Sequence, residues 1–97
     1  MEVVHHRPQA WFLLADGSRL VLDVNCSHSA FGYSRVIELS AAERSSYEER
    51  GVAYVNELAD DVQYHGLTLY ASRHLGPEAE SAVSEAVRAW RASGEAA

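Results

Sequence analysis

The chain has 97 residues, 47% of them hydrophobic and 23% charged, which is enough apolar surface for one hydrophobic core and too little for two. Its 14 acidic residues outnumber eight arginines, and the formal net charge of -6 disfavours binding to nucleic acid or to an anionic membrane. The sequence contains no lysine, which excludes a Schiff-base amine and a phosphate-loop lysine.

A single globular domain over residues 1–97 is therefore expected. Residues 1–8 are predicted to be either disordered or a short extra strand, and residues 94–97 to be a frayed C-terminus. The apolar run at 10–15 is too short for a signal-peptide core or a membrane span, so the sequence predicts a cytoplasmic protein.

The segment AWFLLADGSRLVLDV predicts a β-hairpin, because two apolar runs flank an Asp-Gly dipeptide at 16–17 that accepts the positive φ angles of a two-residue turn. With that dipeptide as the turn, Leu13 pairs with Leu20 and Trp11 pairs with Leu22. These residues share one face, which is extended by Val24 and Cys26. The opposite, mixed face carries Phe12, Leu14, Arg19, Val21 and Asp23.

Two further strands are predicted from alternation. Residues 31–39, FGYSRVIEL, place Phe31, Tyr33, Ile37 and Leu39 on one side and are expected to form a third strand. The shorter run at 67–71 lies within the segment GLTLYAS and is compatible with a fourth strand or an extended edge segment.

Two helices are predicted from capping signals and helical spacing. Ser40 and Glu43 form a capping box that starts a long helix, which runs through Gly51 and ends at Gly66 in a left-handed cap. Pro77 stands at the first position of a second helix, followed by acidic residues near its N-terminus and arginines near its C-terminus. The predicted order is β-β-β-α-β-α. This is an α+β two-layer sandwich, with an antiparallel sheet of three to four strands and two helices on one face.

In that arrangement one face of the sheet has no helix to cover it. A contiguous apolar patch usually marks a surface for a partner, and self-association with twofold symmetry is the commonest solution. We therefore expect a homodimer formed through the uncovered face or an edge strand. The residues predicted to bind a partner or ligand are Phe12, Val21, Asn25, His28, Tyr33 and Arg35.

The stretch DVNCSHSAFGYS offers an alternative, a small enzyme. Cys26 and His28 are candidate reactive groups, and Asp23, Asn25 or Arg35 could assist them. However, Cys26 follows the same alternation as the inner face of the hairpin, and cysteine is among the most frequently buried residues. A structural thiol is therefore the favoured interpretation.

A metal site is a third hypothesis, in which His65 and His74 join Cys26 and His28 as the ligands of a tetrahedral site. The paired cysteine spacing of structural zinc sites is absent, so no metal and no cofactor are predicted. The favoured function is a small acidic, non-catalytic binding or regulatory module. It would act through protein contact or a small ligand held on its sheet, and a basic protein is a possible partner because charge complementarity speeds association.

Overall fold

The structure is a computed structural model that describes residues 1–26 and 32–94. Within these residues, four strands precede three helices and one 3-10 turn. In chain order the elements are β1 (Glu2–Arg7), β2 (Trp11–Asp16), β3 (Arg19–Cys26), β4 (Tyr33–Glu38), α1 (Ala41–Arg50), α2 (Val52–His65), the 3-10 turn Ala71–Arg73, and α3 (Pro77–Ala92). The predicted α+β class and antiparallel sheet are confirmed, but the order is ββββααα and the predicted β-β-β-α-β-α order is wrong.

The four strands form a meander in which each strand pairs antiparallel with the next. The hairpin at β2 and β3 exists, but its pairing differs from the prediction by two residues. Leu13 lies opposite Leu22, and Trp11 lies opposite Val24. The turn is shifted because Gly17, at φ 63°, takes its first central position, which is typical of a type II′ turn. A two-residue shift keeps every side chain on its predicted face.

The added strand is β1, which pairs with β2 through an irregularity between Val3 and His5. By contrast, the run at 67–71 is not a strand. It lies in turns that lead into the 3-10 turn, and the side chains of Leu67 and Leu69 are exposed. Alternation over so short a run does not distinguish a strand from a turn whose apolar residues face solvent.

The predicted long helix is present as two helices. The capping box is confirmed, because the Ser40 hydroxyl accepts the Glu43 backbone N–H and the Glu43 carboxylate accepts the Ser40 backbone N–H. The helix is interrupted at Gly51, which has φ 66° and ψ -145°. Gly66 was expected to adopt a left-handed cap but has φ -62° and ψ -30°, so its role is different and is described below.

The helices cover both faces of the sheet. On one face the core is formed with α2, which supplies Val55, Leu58, Ala59 and Val62. The strands contribute the predicted inner residues Trp11, Leu13, Leu22, Val24, Cys26 and Ile37. Burying this many large side chains, at about 1.5–3 kcal/mol each, makes this layer the main source of stability.

The second core overturns the prediction of an uncovered face. Leu14, Val21 and Val36 are buried on the opposite side of the sheet beneath Val83 of α3. Phe12 and the apolar stripe of α3 pack around them. Both helices were expected on one side of the sheet. Instead, α3 packs on the opposite side and shields the apolar residues of that face from water. Within the described residues, no helix is long and apolar enough to cross a membrane.

Candidate functional site

Cys26 lies in the core between the sheet and α2. Its side chain is 1% exposed, and its Sγ lies 4.0 Å from the Val62 carbonyl oxygen and 3.7 Å from that of Val24. Burial raises the pKa of the thiol, which disfavours the thiolate needed for nucleophilic attack. This geometry is that of a packed, structural cysteine.

Of the other sequence candidates, Tyr33 and Arg35 lie beside Cys26 on the α2 side of the sheet, where both act to lower the pKa of the thiol against the larger effect of burial. His28 lies outside the described residues. The guanidinium of Arg35 lies 5.2 Å from the centre of the Tyr33 ring, on the α2 side of the sheet. Val21 is fully buried under α3, so it is a core residue with no surface for a ligand. These positions separate the predicted binding residues between the two faces.

Two charged residues, Asp23 and Arg35, have a side-chain atom that is shielded from solvent and unpartnered within the described part of the chain, and Asp23 lines the cavities described below. It lies in the middle of β3, between Phe12 on β2 and Val36 on β4, and points to the α3 side of the sheet. Its Oδ1 atom is shielded from solvent and has no hydrogen-bond partner among residues 1–26 and 32–94. A buried carboxylate oxygen without a partner is destabilising, and a functional role is one explanation for keeping such a group.

Asp23 also lines three adjoining cavities of about 310, 230 and 260 Å³ between the sheet and α3. Together they form an open cleft, here called the α3 groove. Its sheet side is formed by Phe12, Asp23, Asn25, Ser34 and Val36. Its helix side is formed by Glu80, Val83, Ser84, Val87, Arg88 and Arg91.

The helix side of the groove follows from the spacing of residues on α3. Ser84, Arg88 and Arg91 recur at intervals of four and three residues, so they form one stripe beside the buried Val83 and the half-buried Val87. The Arg91 guanidinium lies 5.7 Å from the centre of the Phe12 ring. Phe12 in turn meets Trp90 edge to face, which fixes this end of the groove.

The surroundings of Asp23 change its acidity. Burial, together with charge repulsion from Glu80, raises the pKa of Asp23 to about 6, and His74 opposes part of the increase. Asp23 can therefore change its protonation state close to neutral pH. As a carboxylate it accepts hydrogen bonds from a cationic or N–H group, and as an acid it donates one.

His74 and Glu80 form the wall beside Asp23. The Nδ1 atom of His74 accepts the Val36 backbone N–H at 3.2 Å, and its Nε2 atom lies 2.5 Å from Oε1 of Glu80. Because a backbone N–H can only donate, Nδ1 carries no proton and Nε2 donates to Glu80. This pair ties α3 to the edge of the sheet and keeps the carboxylate of Glu80 engaged.

The sequence predicted only an assisting role beside Cys26 for Asp23. For Arg88 and Arg91 it predicted only a favourable position near the C-terminus of a helix. A usable signal was present at β3, where an aspartate alternates with Val21 on the face that also carries Phe12 and Leu14. A second signal was the Ser84, Arg88, Arg91 spacing beside an apolar stripe. Neither signal shows that the two elements face each other, since that depends on which side of the sheet α3 packs.

Among residues 1–26 and 32–94, no three His, Cys, Asp or Glu side chains converge on one point where they could bind a metal ion. His65 lies 3.8 Å from Asp61 on α2, and His74 is engaged by Val36 and Glu80. No protein-family model, curated protein or solved structure matches this chain. The proposals below therefore depend on the geometry and chemistry of its own residues.

Proposed function

We propose that this protein is a small binding domain that holds a compact polar ligand in the α3 groove. The observation that carries the proposal is the Oδ1 atom of Asp23, which is buried and unpartnered within the part of the chain that the structure describes. Folding places this carboxylate between two apolar strands although it costs stability there. A ligand that donates a hydrogen bond to Asp23 would offset that cost.

The composition of the groove supports the same proposal. Its largest cavity, about 310 Å³, is at the lower end of the size range of small-molecule sites, which favours a ligand the size of a metabolite. Its wall combines apolar surface from Phe12, Val83 and Val87 with the polar groups of Asp23 and Ser84. A few convergent polar groups on an apolar wall give orientation and specificity to a bound small molecule.

The alternative of an enzyme or metal site centred on Cys26 and His28 is less well supported. The Cys26 thiol is packed against α2, and its raised pKa disfavours the reactive form. A basic protein partner is supported only by the net charge of -6.

Protein-observed NMR with a library of small polar fragments tests the proposal. Fragments that bind are expected to shift the backbone amide signals of Asp23, Asn25, Ser34 and Ser84, and Asp23→Ala is expected to remove those shifts. Asp60→Ala, at an exposed position on α2, serves as the matched control and leaves them unchanged. The proposal fails if no fragment perturbs the groove, or if the fragments cluster on the exposed Leu67 and Leu69 instead.

Self-association is a second proposal, now assigned to an edge of the sheet because α3 occupies the face first expected to mediate it. β1 is the more open edge, since β4 is bonded at Val36 by His74 and Leu75. Val4, at the irregularity in β1, is 41% exposed. Light scattering at tens of micromolar is expected to give a dimer that Val4→Pro disrupts, and a monomeric native chain would contradict the proposal.

A further inference from the structure

The α3 groove is lined by side chains of opposite charge. Asp23 and Glu80 line one of its cavities, and the charge of Glu80 acts on Asp23. Arg88 and Arg91 share another cavity with Asp23 and bring two positive charges to the groove. The apolar side chains of Phe12, Val83 and Val87 line the same cavity.

The two arginines are not neutralised by acidic partners. Within residues 1–26 and 32–94, neither Arg88 nor Arg91 forms a salt bridge, and the guanidinium of Arg91 lies 5.7 Å from the centre of the Phe12 ring. The arginines outside the groove that form ion pairs do so with Asp16, Glu38, Glu43 or Glu57. The guanidinium groups on α3 are therefore available to an anionic group of a ligand.

We infer that the α3 groove binds a small zwitterion, an aminocarboxylate whose ammonium group meets Asp23 and whose carboxylate meets Arg88 and Arg91. This inference rests on the proposed function and adds the chemical class of the ligand. An ammonium group can donate hydrogen bonds to the carboxylate of Asp23, which lines three cavities of the groove. A carboxylate matches the planar, forked donors of a guanidinium.

The charged groups of the groove lie along its length, because Arg91 shares two cavities with Asp23 and Arg88 shares one. A flexible aminocarboxylate, whose ammonium and carboxylate groups are joined by a chain of methylene groups, can adjust the separation of its charges to these positions. The intervening chain would lie on Phe12, Val83 and Val87.

The test compares three probes with the same alkyl body: 6-aminohexanoate, hexylammonium and hexanoate. Each is titrated into the full chain at pH 7.5, above the pKa of Asp23, and the dissociation constant is obtained from amide shifts in the groove. We expect 6-aminohexanoate to bind at least about tenfold more tightly than either singly charged probe, because it alone carries a partner for Asp23 and a partner for the arginines.

Variants assign each charge. Asp23→Asn is expected to reduce the affinity for 6-aminohexanoate to that for hexanoate, and the pair Arg88→Gln with Arg91→Gln to reduce it to that for hexylammonium. Arg50→Gln, on α1 away from the groove, is the charge-matched control and leaves all three constants unchanged.

The outcomes separate this inference from the proposed function. If hexylammonium or hexanoate binds as tightly as 6-aminohexanoate, or if the arginine variants have no effect, the zwitterion inference is overturned while fragment binding in the groove still supports a binding domain. If no probe shifts a groove signal, the inference is likewise overturned, and the fragment screen alone then decides the proposed function.

Discussion

The imidazole of His74 accepts the backbone N–H of Val36 at 3.2 Å and so occupies the position that a further strand would take beside β4. The next residue reinforces this closure, because the Leu75 backbone N–H donates to the Val36 carbonyl oxygen at 2.8 Å. An exposed strand edge invites pairing with another chain, and covering it prevents that association. The segment before α3 thus protects one edge of the sheet and positions the groove.

His74→Ala is expected to lower the free energy of unfolding by about 1–3 kcal/mol, because the buried Val36 backbone N–H loses its acceptor. His74→Asn retains an oxygen near the place of Nδ1 and should recover part of the loss. Urea unfolding at neutral pH measures both. His65→Ala is the control and should stay within about 0.5 kcal/mol of the native chain, because its half-exposed ring lies 3.8 Å from Asp61 and has its centre 5.3 Å from that of the Tyr64 ring. Equal losses in His74→Ala and His65→Ala would contradict the role given to His74.

Asp23→Asn is expected to stabilise the protein at pH 8 by about 3 kcal/mol and to have almost no effect at pH 4. The pKa of Asp23 is raised from 3.8 to about 6 on folding, so the folded state holds its proton more tightly than the unfolded state. Stability is therefore highest below the unfolded value and is lost as the pH rises through 6. The amide cannot ionise, and it avoids this loss.

The pH series for Asp23→Asn is measured by urea unfolding between pH 4 and 8 beside Asp60→Asn, which changes an exposed carboxylate on α2 and should alter stability by less than about 0.5 kcal/mol at every pH. A destabilised Asp23→Asn at pH 8 would show that the carboxylate has a stabilising partner. If the variant is stabilised and also loses ligand binding, the cost of burying Asp23 is a cost of function.

Much of the sheet could be predicted from the sequence because strand alternation has a period of two. The inner side of the hairpin was identified correctly even though the pairing was off by two residues, since a shift of that size leaves Leu13 and Leu22 facing the core. The turn itself was misplaced because an Asp-Gly dipeptide fits more than one turn type, and Gly17 at the first central position fixes the actual one.

The groove could not be predicted because it depends on which face α3 covers. The apolar stripe of α3 is compatible with either side of the sheet. It was predicted to pack on the same side as the first helix, where α2 lies. Only the packing of Val83 against Leu14, Val21 and Val36 brings Asp23 into the same cleft as the arginines of α3. Long-range packing of this kind leaves no short motif in the sequence.

Gly66→Ala is expected to destabilise the protein by about 1–3 kcal/mol, for a steric reason and not through a left-handed backbone. A Cβ at this position would lie 2.6 Å from the Tyr33 hydroxyl oxygen and 2.8 Å from the Val62 carbonyl oxygen. Adding Tyr33→Phe removes the first of these contacts and should restore part of the stability, which a double-mutant cycle in urea unfolding measures. Strictly additive effects of the two substitutions would mean that the hydroxyl is not the obstacle.

The Cys26 thiol is expected to resist modification in the native state and to react only as the protein unfolds, because its sulfur is buried against Val62 and its pKa is raised. A chromogenic disulfide reagent at pH 8 measures the rate, with increasing urea accelerating it in step with unfolding. Ser45→Cys places a second thiol at an exposed position of α1, and in that variant one equivalent should react at once while Cys26 does not. Rapid modification of Cys26 in native buffer would show that the thiol is reactive, and it would favour an enzymatic function on the α2 side of the sheet.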